Sequence, residues 1–170
     1  MLIAGLPGTG KSTLARAFVQ RYGGTHINSD LLRNEMGLRG HYGPGDKEQV
    51  YQAMLDSTRK ALSEGQMAVV DSTFIRENTR LPFEAVARSC GAPFFWVEMH
   101  ATEDSIRERL KTPRTDSEAD FSVFLTLRNQ QEALNTPHLD LWSDNMPLED
   151  MIARIRNYTT QKTNFSPLLP

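Results

Sequence analysis

A chain of 170 residues fits the usual span of about 100–200 residues for one domain and can bury roughly 70% of its unfolded surface. Lys and Arg number 19 against 21 Asp and Glu, a near-neutral balance that excludes a bulk electrostatic grip on a nucleic-acid duplex and leaves only a local basic pocket. The single cysteine, Cys90, excludes an internal disulfide. No apolar run approaches the roughly 18 residues of a membrane span and no signal peptide is visible, so a cytoplasmic protein without a membrane partner is expected.

The apolar run Leu2-Ile3-Ala4 predicts a first strand that starts at the N-terminus, so that either the chain is this abrupt or a residue or two is missing ahead of it. Gly5, Leu6, Pro7, Gly8, Thr9, Gly10, Lys11, Ser12 and Thr13 follow, and this stretch fits G-x-x-x-x-G-K-[ST]. Each residue type has a physical reason. Gly8 and Gly10, lacking a Cβ, can take positive φ and turn their N–H groups inward as an anion nest. A helix opening at Lys11 adds the positive end of its dipole. Lys11 can then reach β- and γ-phosphates, and the Ser12 hydroxyl can hold a bridging Mg²⁺. Leu14, Phe18 and Tyr22 at spacing four, with Ala15 and Val19 beside them, supply the helix that such a loop needs.

Gly23-Gly24 breaks that helix, and residues 25–28 read as a second strand. Ser29-Asp30 looks like a helix start, with Leu31, Leu32 and Met36 as its apolar face and Gly37 as its stop. Residues 40–45 (GHYGPG) form a loop, and a helix runs from Asp46 to Glu64 with Val50, Met54 and Ala61 on one face. Met67 to Val70 is a strand buried on both faces, ending in Asp71-Ser72-Thr73. A helix over 78–90 follows, with Pro82 placed in its first turn and Cys90 on its buried face. Residues 93–99 make a strand, and Thr102 caps a helix to Leu110. A polar connector over 111–120 contains Pro113 and reads as a small lid. A helix from Phe121 to about Asn135, a weak strand over 138–142, and a helix opening at Pro147 complete a single domain over 1–160, with 161–170 as a loosely attached tail. Trp96 and Trp142 fall in strands and are expected in the core.

Strands alternating with helices predict an α/β domain with a mainly parallel five-stranded sheet between two helical layers, and chemistry at the carboxyl ends of the strands. Asp30 and Arg33, three apart on a short helix, read either as a helix-start acid with a surface ion pair, or as a proton acceptor with a phosphate-binding cation. Asp71 is either a Mg²⁺-organising acid or a loop cap. Arg107, Arg109, Lys111 and Arg114 bring positive charge to the connector, where a closing lid needs it, and Arg109 and Arg114 are the choices for that role. Arg76 and Arg80 suit an anionic acceptor and helix-start solvation equally. His26, His41, His100 and His138 have no ligand spacing, which argues against a protein zinc site.

Four segments, GLPGTGKSTLAR, INSDLLR, VVDSTF and RERLKTPR with SEADF after it, give the chain up to about residue 135 a family likeness. It resembles the small P-loop kinase group that includes the 5′-kinase domain of phage polynucleotide kinase and the zeta-toxin and chloramphenicol phosphotransferase relatives. The resemblance implies a P-loop, nucleotide-kinase-like fold and ATP-dependent phosphorylation of a hydroxyl with Mg²⁺. It assigns Asp30 as base, Arg33 to the acceptor, and Arg109 or Arg114 to the lid. The acceptor is a small molecule or a nucleic-acid 5′ end; a non-kinase nucleotide switch with slow hydrolysis is the alternative.

Overall fold

The computed structural model describes residues 1–112 and 117–164. Five strands, β1 (Leu2–Gly5), β2 (Thr25–Asn28), β3 (Ala68–Asp71), β4 (Trp96–His100) and β5 (His138–Trp142), form one sheet in the order β2-β3-β1-β4-β5. Every neighbouring pair is parallel. The helices are α1 (Lys11–Tyr22), α2 (Ser29–Glu35), α3 (Pro44–Ser63), α4 (Glu77–Ser89), α5 (Glu103–Arg109), α6 (Phe121–Gln130) and α7 (Leu148–Asn164). The expected P-loop α/β sandwich is thus present. No helix among the described residues is long and apolar enough to cross a membrane.

Strand side chains alternate between faces with period two, and that alternation builds two cores. Leu2, Ala4, Ala68, Val70 and Trp96 pack with Val50, Met54 and Ala61 of α3 and Phe83 of α4. Ile3, Val69, Val97, Met99 and Leu141 pack on the other side with Leu14 and Phe18 of α1 and Ile152 and Ile155 of α7. Buried on both faces, β1 and β3 are apolar at successive positions, as a central parallel strand requires.

Several boundaries differ from expectation for identifiable reasons. The third helix opens two residues early because Pro44 occupies its first position, where a missing N–H costs nothing. Pro82 lies in the second turn of α4 rather than the first. The fourth strand starts at Trp96 and runs to His100, to match β5 residue for residue. The helix expected to reach Asn135 stops at Gln130, because Gln131 turns extended and the Glu132 N–H donates to the Ile75 carbonyl. The last helix continues to Asn164, so residues 161–164 belong to it and not to a tail. Trp142 ends an edge strand and is 43% exposed, whereas Trp96 is fully buried. Cys90 closes α4 as its C-terminal cap and is only half-buried.

The fold also reassigns Arg80. Rather than facing an anionic acceptor or solvent, it is buried, and its guanidinium donates to the carbonyls of Glu132 (3.1 Å) and Ala133 (2.9 Å). It thereby holds the segment between α6 and β5 against α4, a use of charge on backbone acceptors that removal would leave unsatisfied. Arg80→Met keeps the stem and deletes the donors. It should cost about 2–4 kcal/mol of stability, read as a lower urea midpoint at unchanged slope.

Candidate active site

The loop between β1 and α1 has the backbone its glycines allow: φ is 82° at Gly8 and 89° at Gly10. Gly10 is the N-terminal cap of α1 and supplies no side chain, so the first N–H groups of the helix keep no side-chain acceptor from the cap and face the loop. Two side chains converge on the Leu6 carbonyl. The Thr9 hydroxyl donates to it at 2.8 Å and the Lys11 ammonium at 3.0 Å. Lys11 is thus folded back on its own loop, in reach of whatever anion the N–H groups hold.

Behind the loop, Asp71 at the end of β3 is completely buried. Its Oδ2 accepts from the Asn28 amide at 2.7 Å and lies 3.2 Å from His26 Nε2. Its Oδ1 has no partner. Burial pushes the Asp71 carboxyl up, but His26, the Lys11 charge, Ser12 and Asn28 together outweigh it and hold the group below the ordinary carboxylate value. The same Asn28 amide donates to Ser12 Oγ at 3.2 Å. Ser12 and Asp71, the two expected metal-site residues, therefore share one partner. A buried, ionised carboxylate oxygen lacking a partner, set beside a hydroxyl, fits a hard cation such as Mg²⁺.

Asp30 and Arg33 both lie on α2, but not as an exposed pair. The helix is capped by Asn28, whose Oδ1 accepts from the N–H groups of Asp30 (2.9 Å) and Leu31 (2.8 Å). Asp30 is therefore not the cap. Arg33 is buried, donates through Nη1 to the His41 carbonyl, and lies 4.5 Å under the ring of Tyr42. Its Nε has no partner. Burial, together with Glu118, which accepts from the Tyr42 hydroxyl at 2.9 Å, pushes that phenol up to about 12. Within that rise the Asp30 charge contributes and Arg33 opposes. Glu118 also accepts from the Gly40 N–H at 2.7 Å, so the described end of the connector is tied to the loop over Arg33.

At the end of β3, Ser72 Oγ lies 3.1 Å from the Tyr51 hydroxyl. Two residues on, Phe74 has φ 46°, a left-handed conformation that costs a bulky residue about 1–3 kcal/mol. Edge-on contacts with Phe83 and Trp96, at 5.1 and 5.2 Å between ring centroids, keep it there. Arg109 is the last residue of α5 and is fixed: its guanidinium donates to the Gly8 carbonyl (3.0 Å), the Ser143 hydroxyl (2.8 Å) and the Ser143 carbonyl (3.2 Å). It joins the phosphate-type loop to the segment after β5. Arg114 lies outside the described residues. Arg76 is exposed at the start of α4.

Sequence reasoning missed Asn28, His26, Tyr51 and Ser143. Asn28 carried a usable signal, since Asn immediately before a helix start is among the strongest caps; of the other three, His26 is brought in by the pairing of β2 with β3, Tyr51 by α3 and Ser143 by the segment after β5. Register also joins two histidines that no spacing linked: His100 and His138 stand on adjacent strands.

The sequence profile of AAA_33, described as an AAA domain, matches residues 1–134. The uncharacterized protein Rv2004c of Mycobacterium tuberculosis (strain ATCC 25618 / H37Rv) is 27% identical over 150 residues, covering 81% of this chain. The chain spans about 30% of that relative's length. Among solved structures, Chaetomium thermophilum Kti12 in complex with ADP-AlF3 superposes with TM-score 0.69 at 17% identity, over 92% of this chain and 96% of that one. A gluconokinase from Sinorhizobium meliloti 1021 gives 0.64 at 19%, over 94% and 95%. The Mycobacterium tuberculosis APS kinase CysC in complex with AMPPNP and APS gives 0.65 at 16%, over 92% and 95%. At these identities the likeness is one of fold.

The ionised Asp71 has a stability signature. A carboxyl held below its ordinary value of about 3.9 stabilises the fold fully above that value, and the contribution is lost as pH falls through the depressed one. In urea unfolding without nucleotide, the difference between the wild type and Asp71→Asn should be constant from about pH 7 to pH 5 and shift against the wild type below about pH 4. A difference that stays flat into acid would show that the carboxylate is not held ionised.

Proposed function

This chain belongs to the AAA_33 family of AAA domains, and from that premise we propose that it is an ATP-dependent phosphotransferase that moves the γ-phosphoryl group to a hydroxyl. The observation that carries the proposal is the division of labour at the end of β2. Asn28, and not Asp30, caps α2, and the same side chain braces Ser12 and Asp71, so that Asp30 stands two residues past the carboxyl end of a strand that borders the phosphate-type loop's metal pair.

Each residue then has a task. Lys11 leaves the Leu6 carbonyl for the β- and γ-phosphates, and the N–H groups of Gly8 to Thr13 hold the same anion. Ser12 and Asp71 would hold a Mg²⁺, which supplies charge neutralisation across those phosphates. Asp30 accepts the hydroxyl proton, late in a loose transition state. Arg109 keeps the Gly8 peptide and the Ser143 segment in register on the donor side, and Arg114 is the connector cation assigned to the transferring group. Arg33 orders the acceptor loop through the His41 carbonyl and the Tyr42 ring. The net charge of −2 favours a small-molecule acceptor over a nucleic-acid 5′ end, and the Arg33 Nε, buried with no partner among the described residues, is the donor left for an anionic group on it. One cysteine and no disulfide suit a reducing cytoplasm.

Asp30→Asn tests the base. The cap is untouched, so the variant should fold and bind ATP as the wild type does. Acceptor phosphorylation, followed with labelled ATP across a panel of alcohols, nucleosides and 5′-hydroxyl oligonucleotides, should fall at least about a hundredfold. Undiminished transfer would remove Asp30 from the chemistry. Turnover that needs no acceptor at all would instead favour a slowly hydrolysing switch. Lys11→Ala separately tests the donor site: ATP affinity should weaken and turnover nearly vanish, and unchanged values for both would refute the phosphate site.

A further inference from the structure

Parallel pairing of β4 with β5 sets Glu98 opposite Asp140, Trp96 opposite His138 and His100 opposite Trp142. Because strand side chains alternate, Glu98, His100, His138 and Asp140 all project from one face, the face that elsewhere carries Leu2, Ala4, Val70 and Trp96. Four ligand-type side chains therefore replace the apolar set at this edge of the sheet. His100 Nε2 lies 2.7 Å from Asp140 Oδ1, and His138 Nε2 lies 3.5 Å from the same oxygen and 3.7 Å from Glu98 Oε2. One donor atom each from Glu98, His100 and Asp140 falls within 4.8 Å of the others.

We propose that these four residues form a binding site for one divalent transition ion of the Zn²⁺ class. Tetrahedral coordination with metal–ligand bonds of about 2.0–2.1 Å separates the ligand atoms by roughly 3.3–3.4 Å. The contacts of 2.7, 3.5 and 3.7 Å straddle that value; Glu98, His100 and Asp140 are gathered already, and His138, next to Glu98 and Asp140, closes the set by a side-chain rotation toward His100. The supporting shell is in place. His138 Nδ1 lies 2.7 Å from the Thr136 carbonyl, so that its N–H is committed there and the Nε2 lone pair points inward, the tautomer a metal ligand needs. Gln131 donates to Glu98 Oε1 at 2.9 Å and leaves Oε2 for the ion. The Trp142 ring stacks on His100 at 5.1 Å and 27°, fixing the imidazole plane.

Two imidazoles and two carboxylates without a thiolate suit Zn²⁺, Co²⁺ or Ni²⁺ over soft Cu⁺, and their nitrogen content disfavours Mg²⁺ and Ca²⁺. Four protein ligands close the coordination sphere, so the ion is structural. It would clamp edge strand β5 to β4. It would also stiffen one wall of the cavity of about 200 Å³ that His100 lines with Leu6, Thr9 and Arg128 beside the phosphate-type loop. The site is separate from Ser12 and Asp71, which stand at the start of α1 and the end of β3.

The test uses the full chain, stripped with a chelator and titrated with Co²⁺ in the absence of nucleotide. The expected result is one equivalent with visible d–d absorption, displaced by Zn²⁺. Asp140→Asn and His138→Gln should each weaken binding at least tenfold, while Asp71→Asn leaves it unchanged. Zn²⁺ should raise the Tm of the wild type and not that of the double variant. The Asp140 side chain is 54% exposed, so Asp140→Asn decides the matter if His138→Gln fails to fold by circular dichroism. Absence of saturable Co²⁺ uptake, uptake lost in Asp71→Asn, or uptake undiminished in Asp140→Asn would each overturn the site.

Discussion

One primary amide holds the candidate site together. The Asn28 Oδ1 accepts from the N–H groups of Asp30 and Leu31 in the first turn of α2, while its amide nitrogen donates to Asp71 and to Ser12. A single buried side chain thus couples the end of β2, the end of β3, the start of α1 and the start of α2. In a low-dielectric interior every one of those partners would be costly to leave unmet. The placing of Ser12 against Asp71 and the direction of α2 are therefore set by the same residue. Asparagine carries its acceptor and its two N–H donors on separate atoms, so one side chain can serve the helix, Asp71 and Ser12 at once, whereas the single O–H of a Ser or Thr cap could donate to only one of them. An Asp at position 28 would face Asp71 with a like charge.

Beyond that amide, further buried polar groups hold the segments after β3 and before β5 in shape. Glu84 is buried and accepts from the Trp96 indole N–H at 2.9 Å. Arg80 grips two carbonyls of the chain returning toward β5. Phe74 sits in a left-handed backbone conformation between these two features, and the aromatic packing of Phe83, Trp96 and Tyr51 over-determines it. Strain of this kind persists only when the surroundings fix it, and it falls in the segment following Asp71. Glu118 fastens the loop at Gly40 and Tyr42.

The reading of Arg33 and Arg109 changes most between one dimension and three. Both were expected to present charge to a phosphate. Arg33 gives one N–H to the His41 carbonyl and its face to the Tyr42 ring and keeps its Nε without a partner, whereas Arg109 donates to Gly8 and Ser143. Guanidinium groups carry five donors in a fixed plane, so they serve backbone carbonyls as readily as anions. Whether a given arginine faces protein or ligand depends on which carbonyls come within reach, and those come from distant segments.

The sequence by itself determined the loop at Gly5 to Thr13, the α/β alternation and nearly all the strands, because each of these is written locally. Glycines permit the positive φ of the loop, apolar runs mark strands buried on both faces, and Thr102 caps a helix by contact with a residue three positions on. It also brought Asp30, Asp71 and Ser12 to notice, since each follows a strand at the carboxyl edge of the sheet. Tertiary structure decided what those residues touch. Only the strand order places β2 beside β3, so that Asn28 meets Asp71, and only the register of β4 against β5 gathers Glu98, His100, His138 and Asp140 onto one face. Pairing between strands joined by helical crossovers is fixed by which faces bury together, a global condition that no local pattern of residues encodes.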